Sequence, residues 1–286
     1  MSSNRDLFFK LKNANYKYVK ESVINQLLYE ANGVENLTDF VHLFREECKD
    51  EKRLWEMVER VEKGEPIQYV TGKAQFLDWV LNVNQDVLIP RVETEELAAN
   101  ILKILKETGV EKYKVCDVCT GSGALAIAVK NRFPKFDVSA IDISDKALAV
   151  ARQNACKYHA DINFIQGDLI DPLIEKGEKI DVLICNPPYI SDKSTIDEQV
   201  WKYEPHLALM AEPAWKFYER IFQYYKFFMA KEFVMFFEIG EDMEQDLTNL
   251  MNINMDKISF IFRKDMYGKT RFLIISGVNE GGMLDC

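Results

Sequence analysis

The segment Asn186-Pro187-Pro188-Tyr189 combines groups that can hold a planar NH₂ group while its nitrogen attacks another reactant. The carboxamide oxygen of Asn186 can accept one hydrogen bond from such a group. Pro187 lacks an N–H and stiffens the loop together with Pro188, so the Pro187 carbonyl is available as a second acceptor. The ring of Tyr189 offers a flat face to an amide or a base. We therefore predict that Asn186, Pro187 and Tyr189 are catalytic and that all four residues bind the substrate.

A Gly-rich turn, Thr120-Gly121-Ser122-Gly123, lies between an apolar segment and a helical one. In a parallel sheet such a turn follows a strand at the edge where ligands bind, and glycine lets the backbone approach a ligand closely. Asp142 follows the next predicted strand, where a carboxylate can bind ribose hydroxyls, and Asp168 follows a third, within reach of an adenine edge. The predicted cofactor-binding residues are Thr120, Gly121, Gly123, Asp142, Asp168 and Asn186.

The turn departs from two common phosphate-binding patterns. A dinucleotide-binding turn would carry a third glycine where this chain has Ala126, and no Lys-Ser or Lys-Thr follows, as an ATP-type phosphate loop requires. An adenosine ligand without a pyrophosphate fits better. We expect S-adenosylmethionine, with S-adenosylhomocysteine as the product; the alternative is a tight turn and helix cap without a ligand.

Hydrophobic periodicity divides the chain into a helical first part and an alternating second part. Apolar residues at helical spacing predict three helices before residue 64, the first of which stops at Asn32-Gly33. From about residue 93 predicted helices alternate with strands, and residues 258–263 and 271–276 form a closing hairpin. This α/β alternation predicts a mostly parallel sheet covered on both faces. The predicted domains are helical residues 1–72, a hairpin and linker over 73–92, and a catalytic domain over 93–286.

Local signals predict several boundaries within these domains. The segment from Gly64 to Tyr69 is predicted to be a linker, and residues 76–83 a hairpin. A helix is expected over residues 95–105, and Ser144 is expected to cap another helix that runs to residue 158. Phe76, in the hairpin, is expected to lie either near the cofactor or in the core.

The composition limits the classes of partner. The chain has 286 residues and a formal net charge of −10, which argues against a large nucleic-acid surface, since that needs clustered Lys and Arg. No apolar run reaches the roughly 18 residues that span a bilayer, and the N-terminus lacks the apolar stretch of a signal peptide. The six scattered cysteines indicate reduced thiols and a cytoplasmic location. Cys116 and Cys119 have the spacing of a metal or redox pair, but no second ligand pair exists, and we expect no metal.

The chain resembles, almost from end to end, the protein-(glutamine-N5) methyltransferases that modify peptide chain release factors. Asn186-Pro187-Pro188-Tyr189 is also shared with adenine-N6 DNA methyltransferases, so other segments make the resemblance specific. These segments are Gly64–Tyr69, Ile89–Glu95, Thr120–Gly123, Tyr203–Pro205 with Ala208–Leu209, and Lys264–Arg271. The first two together are the most specific.

The resemblance implies a Rossmann-like class I S-adenosylmethionine-dependent methyltransferase fold. It also implies methylation of a glutamine side-chain amide nitrogen, in the Gly-Gly-Gln loop of a peptide chain release factor, and docking of that factor by the helical N-terminal part. No membrane partner and no direct nucleic-acid partner are expected. Three alternatives are a ribosomal protein as the glutamine substrate, an adenine-N6 nucleic-acid methyltransferase that acts on a flipped base, and a scaffold without activity. The intact Gly turn and Asn-Pro-Pro-Tyr segment argue against the scaffold.

The chain departs from this family at two places. Residues 210–215 lack the glycine-rich stretch that is common there, and Cys119 stands at a position that is often glycine, a small-for-small change. Three charged residues near the motifs have two interpretations each. Arg91 and Glu93 either cover the cofactor and substrate entrance or form a linker salt bridge. Glu204 either supports the site or is a solvated carboxylate.

Overall fold

The computed structural model describes residues 2–34 and 36–279, and this part of the chain divides into two compact units. One unit comprises the described residues up to Lys73 together with the later helix Glu198–Tyr203, and the other comprises the remaining described residues. The sequence-based division at residue 72 did not include this later helix. No helix in the described ranges is both long enough and apolar enough to cross a bilayer.

The first unit consists of short helices around an apolar core. Up to Lys73 its elements are α1 (Asn4–Asn13), α2 (Glu21–Asn32), α3 (Leu37–Leu43), α4 (Glu51–Glu62) and α5 (Ile67–Thr71). The buried stripe of α4 has helical spacing and consists of Leu54, Met57, Val58 and Val61. The predicted stop after α2 is confirmed, because Gly33 adopts a left-handed φ of 67° at the C-terminal cap, where glycine carries no steric cost.

Two parts of the first unit differ from the sequence-based expectation. The basic residues at the start of the chain are typical of a solvated helix face, but the bounds of α1 were not predicted, because its two buried apolar residues, Leu7 and Leu11, make a short periodic signal. The segment expected to be a linker ends within α5, where Tyr69 and Val70 are buried. Packing therefore orders a segment whose Gly and Pro content indicated a loop.

The chain continues with β1 (Lys73–Phe76) and β2 (Trp79–Asn82), which pair as a two-stranded sheet and confirm the predicted hairpin. Helices and strands then alternate. They are α6 (Val92–Glu107), β3 (Lys114–Val118), α7 (Ala124–Arg132), β4 (Asp137–Asp142), α8 (Asp145–Lys157), β5 (Asn163–Gln166), α9 (Asp171–Glu175), β6 (Ile180–Cys185), α10 (the helix Glu198–Tyr203 of the first unit), α11 (Lys216–Phe228), β7 (Met229–Glu238), α12 (Glu244–Asn254), β8 (Ile258–Lys264) and β9 (Thr270–Val278).

Seven strands form the central sheet in the order β5-β4-β3-β6-β7-β9-β8. The pairs from β5 to β7 are parallel, and β9 is antiparallel to both β7 and β8. The mostly parallel sheet with a closing antiparallel hairpin is therefore confirmed. From β3 the chain proceeds toward β5 on one side and later to β6 on the other. The carboxyl ends of β3 and β6 thus form a switch point, where sheets of this kind bind ligands.

Apolar clusters cover both faces of this sheet. Neighbouring residues of β3 alternate between them, with Cys116 in the cluster that contains residues of α11 and α12, and Val115 in the cluster that contains residues of α6 and α7. Phe76 is fully buried in the second cluster, which confirms the core interpretation of this residue.

The helix ends in the second unit follow local signals to different degrees. Ser144 caps α8 as predicted, since its Oγ accepts a hydrogen bond from the Ala147 N–H at 3.2 Å. α6 begins at Val92 rather than at residue 95, which puts Thr94 in its first turn. α12 was not predicted, although Leu247, Leu250 and Met251 lie at helical spacing and pack in the apolar cluster that contains residues of α11.

Candidate active site

A cleft lies at the carboxyl ends of β3, β4 and β6 and encloses about 1130 Å³ of empty space, part of it open to solvent. Six of the predicted site residues line it: Thr120, Gly121, Asp142, Asp168, Asn186 and Pro188. Gly123, Pro187 and Tyr189 are next to lining residues in the chain but do not line the cleft themselves. Much of the remaining wall is apolar and includes Val87, Leu88, Leu125, Leu169, Leu207 and Phe217.

The two glycines of the turn have different surroundings. Gly121 has a φ of 54°, and a Cβ at this position would meet no atom within 4 Å, so the backbone is open toward the cleft that it lines. Gly123 has a φ of 82° and begins α7, and its Cβ would lie 3.2 Å from the Ala151 Cβ. Gly121 therefore exposes backbone to a ligand, whereas Gly123 allows the turn to pack closely against α8.

Asp142 ends β4 and is held by backbone donors. One carboxylate oxygen accepts a hydrogen bond from the Gly121 N–H at 2.9 Å, and the other accepts one from the Ser144 N–H at 2.9 Å. Burial raises the pKa of Asp142, while these backbone donors act to lower it. Each carboxylate oxygen can accept a second bond, so Asp142 has acceptor capacity for the two hydroxyls of a ribose.

Asp117 is a buried carboxylate near the end of β3, with no role predicted from the sequence. One oxygen accepts hydrogen bonds from the Thr120 hydroxyl at 2.6 Å and from the Ala126 N–H at 3.1 Å, which links the turn to the first residues of α7. The other oxygen finds no donor among the described residues. Burial raises the pKa of Asp117 to about 7.

Asp168 lines the cleft but also belongs to a surface ion pair. Its side chain is about half exposed and accepts a hydrogen bond from Arg220 Nη1 at 2.7 Å, and Arg220 also pairs with Asp171. One oxygen of Asp168 is therefore engaged by Arg220 of α11, and the other accepts no hydrogen bond from the described residues.

The side-chain amide of Asn186 is held by a hydroxyl and, through it, by a buried carboxylate. Asn186 Nδ2 donates to Thr94 Oγ1 at 3.2 Å, and the Thr94 hydroxyl donates to Glu238 Oε2 at 2.7 Å. The Tyr189 hydroxyl donates to Glu238 Oε1 at 3.1 Å, and the Tyr218 hydroxyl donates to the Glu238 carbonyl at 2.7 Å. Neither Thr94 nor Glu238 has a role predicted from the sequence, although Thr94 lies in a segment that carries the family resemblance.

Burial raises the pKa values of Glu238 and Tyr189. It raises the pKa of Glu238, which the hydroxyls of Thr94 and Tyr189 act to lower; Glu93 raises it further and Arg271 lowers it. Burial also raises the pKa of Tyr189, whose ring packs partly against the apolar cluster near α11. Tyr189 is thus a neutral phenol that donates to Glu238.

Two oxygen atoms next to β6 keep their acceptor capacity. Within the described chain, neither Asn186 Oδ1 nor the Pro187 carbonyl oxygen accepts a hydrogen bond. Asn186 itself lines the cleft. The site therefore contains the pair of acceptors that the sequence predicts for an NH₂ group.

Glu204 is buried and paired, so the interpretation as a solvated carboxylate is wrong. Its side chain is 1% exposed, and it accepts a hydrogen bond from Arg91 Nη2 at 2.6 Å and another from the Ile89 N–H at 3.1 Å. These bonds fix residues 89–91, directly before α6 and Thr94. Pro90 in this stretch lines the cleft, whereas Arg91 and Glu93 do not. For Arg91 the structure therefore agrees with the salt-bridge interpretation.

The departures from the family also have structural settings. Ile190, directly after Asn-Pro-Pro-Tyr, accepts a hydrogen bond from the Ala211 N–H at 2.9 Å and donates to the Leu209 carbonyl at 3.1 Å. The segment without glycines thus begins with a bridge to the Asn186 loop.

Cys119 has a φ of 61°, a left-handed conformation that costs a residue with a Cβ about 1 kcal/mol or more. The change from glycine is therefore a backbone change as well as a change of size.

Cys116 lies in β3 and Cys119 directly follows this strand, and neither forms a disulfide. Burial raises the pKa of the Cys116 thiol to about 12, and the five described cysteines are all free thiols. Among the described residues, no group of three or more His, Cys, Asp or Glu side chains is arranged to hold a metal ion.

Comparison with known proteins identifies relatives of this chain. A family model described as the methyltransferase small domain matches residues 95–206. A release factor glutamine methyltransferase of Flavobacterium psychrophilum is 35% identical over 231 residues, which cover 78% of this chain and 79% of that protein. Another of the same name, from Bacillus subtilis, is 36% identical over 260 residues, which cover 88% of this chain and 90% of that protein.

A solved structure shares the fold. A methyltransferase from Pyrococcus furiosus superposes with a TM-score of 0.51 at 15% identity, over 79% of this chain and 99% of that one. At this identity the likeness concerns the fold alone.

Proposed function

This chain belongs to the release factor glutamine methyltransferase family, and we propose that it transfers a methyl group from S-adenosylmethionine to the side-chain amide nitrogen, N5, of a glutamine in a peptide chain release factor. The observation that carries the proposal is the pair of uncommitted acceptors, Asn186 Oδ1 and the Pro187 carbonyl, beside a cleft that also contains Asp142. The relatives named above support the substrate class.

The polar groups at the Asp142 end of the cleft fit S-adenosylmethionine. Asp142 would accept the ribose hydroxyls, and the open backbone at Gly121 would lie against the ligand. The apolar wall suits an adenine ring, and Asp168 has one oxygen available at the same cleft. When bound, this cofactor supplies an electrophilic methyl group on a sulfonium.

Asn186 and Pro187 would hold the glutamine amide. An amide nitrogen is a poor nucleophile because its lone pair is delocalised into the carbonyl. Two acceptors that take both amide hydrogens favour positive charge on the nitrogen as it attacks, and they fix the direction of the lone pair. Positioning of this kind lowers the activation free energy by about 7–11 kcal/mol in favourable cases, and dipoles aimed at the developing charge lower it by several kcal/mol more.

Proton removal does not require a base in this motif. After methyl transfer the amide nitrogen carries positive charge and is far more acidic than in the substrate. Asn186 Oδ1 and the Pro187 carbonyl hold the hydrogens as acceptors and do not need to bind a proton. A proton can then pass to water once the product leaves the acceptors.

Charge supports a protein substrate over a nucleic acid. The formal net charge of −10 opposes the counterion-releasing contacts that DNA and RNA binding requires. A ribosomal protein carries the same side-chain chemistry as a release factor and is the second candidate substrate. The proposal places the reaction in the cytoplasm, where free thiols such as those of this chain persist.

One experiment separates these substrates. The protein is incubated with methyl-labelled S-adenosylmethionine and, separately, with a release factor, a ribosomal protein and DNA, and the methyl group is located by mass spectrometry. We expect label on one glutamine side chain of the release factor, and none when the glutamine of its Gly-Gly-Gln loop is replaced by alanine. Label on the ribosomal protein or on adenine, with none on the release factor, contradicts the proposal.

A further inference from the structure

Glu238 imposes a direction on the hydrogen bonds around it. It ends β7, is 2% exposed, and each of its carboxylate oxygens accepts one hydroxyl, from Thr94 and from Tyr189. An ionised carboxylate accepts hydrogen bonds and donates none, so two hydroxyl donors match its ionised form. The single proton of the Thr94 hydroxyl is therefore committed to Glu238.

Thr94 can then act toward Asn186 only as an acceptor. The atom of Asn186 that faces Thr94 must be a donor, which is Nδ2, at 3.2 Å. The two ends of an amide are otherwise similar in size and shape, and orientation is decided by their partners. With Nδ2 directed to Thr94, Oδ1 is the end left for the cleft that Asn186 lines.

The opposite orientation would disable the site for an NH₂ substrate. With Nδ2 toward the cleft, an N–H donor would face the donor hydrogens of the glutamine amide. The acceptor pair would be reduced to the Pro187 carbonyl alone. Asn186 therefore needs partners that select one orientation before the substrate arrives.

We infer that Thr94 and Glu238 are positioning residues that fix Asn186 with its oxygen toward the substrate amide, an inference that rests on the proposed function. Among the described residues Glu238 forms no salt bridge, and this role gives a reason for burying a carboxylate that would otherwise carry a desolvation cost. It links β7 and the first turn of α6 to the loop after β6, through bonds between residues 92 and 144 positions apart.

Substitution of Thr94 tests the hydroxyl. Thr94→Val keeps the shape and removes the acceptor, so kcat for the release factor should fall about 10-fold, the effect of one hydrogen bond. Thr94→Ser keeps the hydroxyl and should restore most of the turnover. The KM for the release factor and the affinity for S-adenosylhomocysteine should change by less than about threefold, because the contacts that bind them remain. A kcat of Thr94→Val within threefold of the wild type overturns the inference.

Glu238→Gln tests the direction of the chain of bonds. In this variant Tyr189 would still donate to the side-chain oxygen of the new glutamine, and the NH₂ group of that glutamine would donate to Thr94. The Thr94 hydroxyl would then donate to Asn186, which selects the wrong orientation of the Asn186 amide. The variant should therefore keep its hydrogen bonds and melting temperature, yet lose about 100-fold in kcat. Glu232→Gln, at an exposed position on the same strand, is the matched control. Turnover of Glu238→Gln equal to that of Glu232→Gln contradicts the inference.

A measurement without substrate separates the two proposals. In protein labelled with ¹⁵N-asparagine, the Asn186 side-chain amide signal is identified by its absence in Asn186→Ala. Its hydrogen exchange should be slow in the wild type and in Thr94→Ser, and fast in Thr94→Val. If exchange follows this pattern but no release factor is methylated, the proposed function fails while the orientation of Asn186 is supported. If the wild type methylates the release factor and exchange is unaffected by Thr94→Val, the positioning role fails alone.

Discussion

At one end of the cleft Asp142 is held by two backbone N–H groups, whereas at the other end Asn186 is held by the side chain of Thr94 and, behind it, that of Glu238. The partners of Asp142 lie 21 and 2 residues away in the chain, and those in the Asn186 group lie 92 and 144 residues apart. In the first arrangement the donors are backbone N–H groups, and what Gly121 must supply is its left-handed φ of 54° rather than a functional side chain. The second depends on the identity of each member.

The two ends of the cleft hold their side chains in different ways. The Asp142 end needs a backbone that turns sharply, and glycines supply it. The Asn186 end needs a side chain with one of two orientations, and a hydroxyl–carboxylate pair selects it. We expect cofactor affinity to respond to changes at the first end, and turnover to changes at the second.

The largest expected effect is at Asn186. Asn186→Ala removes one of the two acceptors and should lower kcat about 1000-fold, or about 4 kcal/mol, as loss of a catalytic hydrogen-bonding group does. The affinity for S-adenosylhomocysteine, measured by calorimetry, should change little. Asn252→Ala, on the exposed side of α12, is the control. Near-normal turnover of Asn186→Ala would remove this residue from the catalytic role.

The second prediction concerns Asp117, whose burial at the Asp142 end of the cleft should make the stability of the protein depend on pH. Burial raises the pKa of Asp117 from its ordinary 3.8 to about 7, so the stability that this group contributes is present below pH 4 and is lost as the pH rises to about 7. Asp117→Asn has no carboxyl group to titrate, so it lacks this pH dependence. Between pH 5 and pH 8 its free energy of unfolding should therefore rise by about 3 kcal/mol relative to the wild type.

Urea denaturation at the two pH values measures this difference. Asp137→Asn, at the exposed start of β4, serves as the control and should follow the wild type more closely. A difference between Asp117→Asn and the wild type that does not change with pH would show that the carboxyl of Asp117 is not protonated in this range.

Asp142 separates binding from turnover. Asp142→Ala removes the acceptor of two backbone N–H groups and of the proposed ribose contacts, so the affinity for S-adenosylhomocysteine should fall about 30-fold, or about 2 kcal/mol. Asp137→Ala, at the opposite end of the same strand, is the matched control. Unchanged affinity of Asp142→Ala by calorimetry would exclude the ribose role. If only kcat fell, Asp142 and Asn186 would both act on turnover, and the two ends of the cleft would not differ in function.

The smallest expected effect concerns backbone strain at Cys119. Because its φ is 61°, Cys119→Gly relieves about 1 kcal/mol of strain and gives up a similar amount to the entropy of the unfolded chain, so stability should change by less than about 1 kcal/mol. Cys119→Val places a β-branched side chain in the same conformation and should cost about 2 kcal/mol. Equal thermal stability of the two variants contradicts a left-handed conformation at this position.

Local signals in the sequence predicted the elements whose causes are local. The cap at Ser144, the stop at Gly33 and the strand–turn–helix around Gly121 each depend on neighbours within a few residues, and all three occur in the structure. The bounds of α1 were not predicted because two buried apolar positions are too few to establish a period, and α12 was missed although Leu247, Leu250 and Met251 lie at helical spacing. The pairing of Glu204 was also missed, since its partners Arg91 and Ile89 lie 113 and 115 residues earlier.

The sequence by itself determined the chemistry available to this protein: two acceptors beside a stiff loop, a Gly turn with a carboxylate on the next strand, and an alternation that builds a parallel sheet. These follow from residue type and short spacing. Only the tertiary structure decided that Glu238 and Thr94 stand behind Asn186, and that Gly121 opens to the cleft while Gly123 packs against α8. The physical reason is that the order of strands in the sheet, rather than the order of residues in the chain, determines which side chains meet at its carboxyl edge.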